Sequence, residues 1–133
     1  MMTVHHLGLW VRDLTRSGRF YDHILGFEKR YNYHIPADLT ETIFSRAVNC
    51  QVEVHQREEV SLELFQPDIP VSTDLPERLL AGINHLSLKV ADKVSFCRQA
   101  RDMGADVIEV PREKGPIFFL RDPDGILIEI KDQ

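Results

Sequence analysis

Val4-His5-His6-Leu7-Gly8-Leu9-Trp10-Val11-Arg12-Asp13 returns later in the chain as Ile83-Asn84-His85-Leu86-Ser87-Leu88-Lys89-Val90-Ala91-Asp92. His6 and His85 fall on the same slot, 79 residues apart (85 − 6), as do Leu7 and Leu86, Leu9 and Leu88, Val11 and Val90, and Asp13 and Asp92. Self-similarity at a fixed offset marks a duplicated supersecondary module. The far ends of the two copies agree as well, Ser61-Leu62-Glu63-Leu64 matching Leu127-Ile128-Glu129-Ile130. Each half therefore opens on a strand that carries a His and closes on a strand that carries a Glu.

Over residues 3–11 the side chains alternate, with Leu7, Leu9 and Val11 on one face and His6, Gly8 and Trp10 on the other, as a half-buried strand requires. Asp13 can cap the helix that follows, whose Leu14, Phe20, Tyr21, Ile24 and Leu25 form the expected buried stripe and which Gly26 ends. The second copy repeats the plan, with Asp92 as cap, Val94, Cys97, Ala100 and Met103 inward, and Gly104 as the stop. Strand-like runs follow each helix: 27–35, a stretch within 42–55, and 60–65 in the first copy; 106–110, 117–120 and 126–130 in the second. Asp122-Pro123-Asp124-Gly125 is a turn that should join the last two strands as a hairpin, because proline fixes φ and glycine tolerates positive φ. Each module thus reads β-α-β-β-β. The expectation is an α+β fold in a single domain over 1–133. Its modules at 3–66 and 81–133, joined by a proline-bearing linker at 67–80, would form a cupped mixed sheet with helices on the outer face.

Length and composition set the outer limits. A chain of 133 residues with 43% hydrophobic residues suffices for one shared core. Net charge is −5 and no Lys/Arg run occurs, so nucleic acid is not an expected partner. No apolar stretch approaches the roughly 20 residues of a membrane span, and the N-terminus lacks a signal-peptide pattern, so the reading is a cytoplasmic protein with no membrane partner. Cys50 and Cys97 form no CxxC or other ligand spacing and read as reduced structural thiols.

Strand phase then sorts the polar residues. On 60–65, Val60, Leu62 and Leu64 take the apolar phase and Glu63 the opposite one; on 126–130 the isoleucines are inward and Glu129 opposes them; on 83–90, His85 opposes Leu86, Leu88 and Val90. His6, Glu63, His85 and Glu129 therefore all lie on the face away from the helices. Two imidazoles and two carboxylates converging there suit one borderline divalent ion, Ni, Co, Zn, Fe or Mn, and not a thiolate-loving metal. The same phase places His5 on the helix-facing side, where its repeat partner is Asn84, so His6 and not His5 is the ligand candidate. Lys89, Arg46 and Lys114 are cations without an assigned role, and Tyr31, Tyr33, His34 and His55 read as ordinary strand or loop residues.

With these markers, together with Phe20-Tyr21, Leu25-Gly26-Phe27 and the run from Phe119 to Gly125, the chain resembles the vicinal oxygen chelate superfamily, also called the glyoxalase/bleomycin resistance/dioxygenase family. The resemblance covers nearly the whole chain. It implies a metal-assisted activity on a small molecule that chelates through adjacent oxygens, and a homodimer. By the same resemblance His6, Glu63, His85 and Glu129 match the four-ligand pattern of glyoxalase I, whereas methylmalonyl-CoA epimerases commonly have Gln at the second position. Glyoxalase I-type enzymes tend to carry an Arg that holds a glutathione carboxylate in the slot occupied here by Trp10, which speaks against glutathione and for a more apolar substrate end.

The expected activity is a lyase or isomerase of glyoxalase type. Beside a metal-held carbonyl, Glu129 or Glu63 would carry a proton from one carbon to the next or to the opposite face. The alternatives are an extradiol-type dioxygenase acting on an aromatic diol, which a fourth protein ligand would crowd, and a non-catalytic drug-binding resistance protein, which would not need the full His/Glu set.

Overall fold

The apolar alternation around His6 and His85 becomes the first strand of each of two compact units, residues 1–72 and 73–133, in a computed structural model that describes residues 1–133. In the first unit the order is β1 (Leu7–Trp10), α1 (Leu14–Arg19), β2 (Glu28–Ile35), α2 (Ala37–Phe44), β3 (Cys50–Arg57) and β4 (Val60–Pro67). In the second it is β5 (His85–Val90), α3 (Lys93–Asp102), β6 (Asp106–Val110), β7 (Ile117–Arg121) and β8 (Leu127–Asp132). Each unit builds a four-stranded mixed sheet of the same topology, β1-β4-β3-β2 and β5-β8-β7-β6, in which the first strand runs parallel to the last and the remaining neighbours are antiparallel. The fold is α+β, built on the tandem plan that the repeat implies.

The helix starts are set by the two aspartates of the repeat. Asp13 Oδ1 accepts from the Arg16 N–H at 2.8 Å, and Asp92 Oδ1 accepts from the Ser95 N–H at 2.9 Å, each satisfying an N-terminal amide that the helix leaves unpaired. The stops are the two glycines, Gly26 at φ 73° and Gly104 at φ 90°, conformations that a side chain would strain. Between Phe20 and Ile24 α1 widens into a π-helical turn, with the Leu25 N–H donating to the Phe20 carbonyl. The extra residue turns Phe20 and Tyr21 inward together and brings Asp22 against β3. The turn at 122–125 forms as expected: Asp122 Oδ1 accepts from the Asp124 and Ile126 amides, and β7 and β8 pair as a hairpin.

Four expectations are corrected. The first strand begins at Leu7 rather than residue 3, and that of the second unit at His85 rather than residue 83, so His5, His6 and Asn84 lie just outside the ladders. The β-α-β-β-β plan of the first copy omits a helix, α2 at Ala37–Phe44, which precedes the strand expected within 42–55, β3 from Cys50. Pro36, at φ −74°, ends β2 and starts this helix, and the buried Thr40 hydroxyl anchors it by donating to the Val48 carbonyl and accepting from the Val48 amide. On α3 only Cys97 and Ala100 are buried, whereas Val94 and Met103 are exposed. The helix is ten residues long and meets β5, β6 and β8; Val94 lies in its first turn and Met103 already beyond its last. Finally, His55 is not an ordinary strand residue but is fully buried on β3, against the helix side of the sheet.

Each unit has a core between helix and sheet. Val11, Tyr21, Leu25, Leu62 and Leu64 fill it in the first, and Val90, Cys97, Leu120, Ile128 and Ile130 in the second. The first unit has a further cluster of Ile35, Val48, Cys50, Val52 and Phe65 on the Glu63 face of the sheet. Both thiols are free and buried; burial pushes Cys97 up to about 11 and raises Cys50 as well, so neither is poised as a nucleophile. No helix is long and apolar enough to cross a membrane.

His55 accounts for a stability prediction. Its Nδ1 stands 2.7 Å from Asp22 Oδ1 and its Nε2 3.0 Å from Glu53 Oε2, while Lys29 Nζ lies 2.7 Å from the other Glu53 oxygen. Replacing the ring with a methyl group leaves two carboxylates facing a void, so His55→Ala should lower the unfolding free energy by about 3 kcal/mol. A urea titration showing a change under about 1 kcal/mol, within the range of an ordinary surface substitution, would refute this role.

Candidate functional site

Sheet register brings one His and one Glu together in each unit. In the first, β1 lies beside β4 with Gly8 opposite Glu63 and Trp10 opposite Phe65, so Glu63, Gly8 and Trp10 share a face. His6, the residue before β1, turns onto the same face, with Nε2 3.6 Å from Glu63 Oε2. In the second, Ser87 stands opposite Glu129, in the register of Gly8 opposite Glu63, and His85 Nε2 lies 3.5 Å from Glu129 Oε2. The burial also matches: the side chains are 41% and 14% exposed in the first pair and 37% and 16% in the second. Each pair joins an accessible ring to a largely buried carboxylate.

The ring orientations repeat as well, through a contact that strand phase does not reveal. His85 Nδ1 is hydrogen-bonded to the Asn84 side-chain oxygen, and His6 Nδ1 lies 2.9 Å from His5 Nδ1. His5 and Asn84, equivalent in the repeat, thus hold the Nδ1 of the following His and leave Nε2 to face the carboxylate. His5 is accordingly not on the helix-facing side but exposed beside His6, because the alternation stops where β1 stops. An Nδ1 that donates its hydrogen leaves the lone pair on Nε2, which is how metal-ligating imidazoles are oriented. His85 is further held edge-on against Phe119, ring centroids 5.5 Å apart, and Phe119 is the cross-strand partner of Glu129.

The carboxylates differ in their neighbours. Glu63 Oε2 accepts from the Tyr33 hydroxyl at 2.9 Å, and burial together with this hydrogen bond pushes Tyr33 up to about 12. Tyr33 is therefore a fixed donor to Glu63, not an ordinary strand residue. Glu129 has no hydroxyl donor; Lys131 Nζ stands 3.5 Å from its Oε1. Arg46 lies in the loop after α2, and Trp10 packs edge-on against Phe44 and Phe65, at 5.0 and 5.7 Å.

Donor chemistry and spacing fit a divalent ion. Two donors held about 2.1 Å from one ion stand roughly 3.0 Å apart at a right angle and roughly 3.4 Å apart at a tetrahedral one. The observed 3.5 and 3.6 Å are close to the tetrahedral value and too long for good hydrogen bonds. Neither unit places three or more His, Cys, Asp or Glu side chains to hold a metal by itself, so each pair offers two donors and no more.

Residues 5–119 match the family model described as the glyoxalase/bleomycin resistance protein/dioxygenase superfamily. The chain belongs to this superfamily. Among its relatives, the Bacillus subtilis protein YwkD, itself uncharacterised, is 24% identical over the whole of this chain and 98% of its own length. The trypanothione-dependent glyoxalase I of Leishmania major shares the fold with a TM-score of 0.75 at 23% identity, covering 99% of this chain and 87% of that one. The fosfomycin resistance protein FosX of Listeria monocytogenes does so with a TM-score of 0.68 at 19% identity, covering 98% and 92%. That FosX structure, of a mutant with one glutamate changed to glutamine, is a complex with Mn(II) and 1S,2S-dihydroxypropylphosphonic acid. At these identities the structures establish the glyoxalase-type fold.

Proposed function

We propose that His6, Glu63, His85 and Glu129 hold one divalent cation, in one chain or across a homodimer, and that the protein is a metal-dependent lyase or isomerase of glyoxalase type. The observation that supports this most directly is the same His–Glu pair built twice, at 3.6 and 3.5 Å and at equal burial. The Mn(II) bound to FosX, a protein of the same fold at 19% identity, lends further support.

When bound, the cation would act as a Lewis acid on a substrate carbonyl, making the adjacent C–H more acidic. This chain's residues supply the rest. Glu129, the carboxylate without a hydroxyl donor, takes the proton as that C–H bond breaks. It returns the proton to the neighbouring carbon while the substrate's hydroxyl hydrogen passes to the former carbonyl oxygen, or to the same carbon once that carbon has turned its other face to the carboxylate, so no outside oxidant or reductant is consumed. Glu63 is held in place by the Tyr33 hydroxyl, and His5 and Asn84 keep the imidazoles aimed. The substrate class is a small oxo acid, hemithioacetal or thioester.

Solvent exchange tests the reaction. Nickel-loaded protein in D2O should introduce deuterium next to the carbonyl of a methylglyoxal hemithioacetal or a 2-substituted acyl thioester, and the metal-stripped protein should not. Oxygen uptake with catechols and no exchange would replace this reading by the dioxygenase one; metal-independent exchange would remove the cation from the chemistry.

A further inference from the structure

On the first sheet, the face that carries His6 continues into an aromatic cleft. A cavity of about 300 Å³ is lined by His6, Gly8, Leu9, Trp10, Phe44 and Phe65. Trp10 and Phe44 also line a second one of about 470 Å³, which ends at Arg46, Ile69 and Val71. The two share Trp10 and Phe44, with His6 in the wall of the first and Arg46 in the wall of the second, all within residues 1–72.

Three features make this a built channel. Trp10, Phe44 and Phe65 form a closed set of edge-on contacts at 5.0, 5.7 and 6.0 Å, yet Trp10 and Phe44 remain 39% and 38% exposed, so ring surface is left to pack against a ligand. Gly8 keeps the floor between His6 and Trp10 bare, since a β-carbon there would come within 3.2 Å of the Phe65 ring. At the far end the Arg46 guanidinium is exposed and has no ion-pair partner, although this chain has an excess of acidic residues. A guanidinium left unpaired at the end of an apolar groove complements an anion on an apolar stem.

We propose that the substrate is an amphiphilic acid. Its reacting oxo end lies at His6, a flat apolar stem packs on Trp10, Phe44 and Phe65, and a terminal carboxylate or similar anion pairs with Arg46. This rests on His6 marking the reacting end, but the channel can be tested without metal. A peptide thiol such as glutathione, polar along its length, does not suit this groove.

Trp10 is the only tryptophan, so its fluorescence reports occupancy of the channel directly. In EDTA-treated protein, 4-phenylbutyrate should change Trp10 emission saturably and bind more tightly than 4-phenylbutan-1-ol. Arg46→Met should weaken the acid about tenfold, the loss expected for one charge-assisted contact, and leave the alcohol unchanged. Reduced glutathione should leave the emission unchanged. No saturable response to the acid, equal affinity of wild type and R46M for the acid, or a saturable response to glutathione would overturn the proposal. Because the measurement is made without metal, failure of the metal reading leaves these outcomes unaffected.

Discussion

Glu129→Gln should lower kcat by about 10³-fold or more while leaving the melting curve of the protein unchanged, the loss expected when a positioned general base is removed. The amide keeps the size of the side chain and can still face His85, but it cannot take up a proton. Glu63→Gln is the informative companion. Glu63 receives the Tyr33 hydroxyl at 2.9 Å, so its part in the account is to hold charge in place rather than to move a proton. Its loss should show mainly as weaker metal binding, about 10- to 100-fold, and activity should recover substantially when excess metal is supplied. Steady-state kinetics with and without added nickel separate the two. Wild-type kcat in E129Q, or full rescue of E129Q by metal, would take Glu129 out of the proton path.

Much of this arrangement was legible from the chain because it depends on the shortest periodicity a protein has. Alternation by two put Glu63 and Glu129 opposite the apolar faces of their strands, and the repeat made His6 and His85 equivalent; the carboxylates keep that phase in the sheets, and each His meets its Glu, His6 from just before β1. What escaped lies where alternation ends or where distant strands must be aligned. His5 sits two residues before β1 begins at Leu7, where alternation no longer sets its direction, and its contact with His6 became visible only in three dimensions. Tyr33 reaches Glu63 across β3, and that register depends on a connection containing α2, which no tight turn specifies. The helix itself was hidden in an apolar stretch that strand and helix could both explain, and its start rests on Pro36 closing β2. His55 shows the same limit: a His among alternating valines gives no sign that Asp22, 33 residues away, is turned toward it by a π-helical turn.

The duplication gives a physical reason for a two-part site. Each copy supplies one imidazole and one carboxylate, and two donors alone make a weak and unselective site for a divalent ion. In the proposed site the halves together give two neutral nitrogens and two negative oxygens, which balance the ion's charge and leave positions for a substrate.

Metal titration of single-half variants tests this most directly. Wild-type protein should bind one nickel or zinc ion per chain, and His6→Ala in the first unit or His85→Ala in the second should each weaken that one ion by at least about 100-fold, while either variant melts like the wild type. Two ions per chain, each lost only when its own half is altered, or undiminished affinity in either variant, would contradict a shared cation.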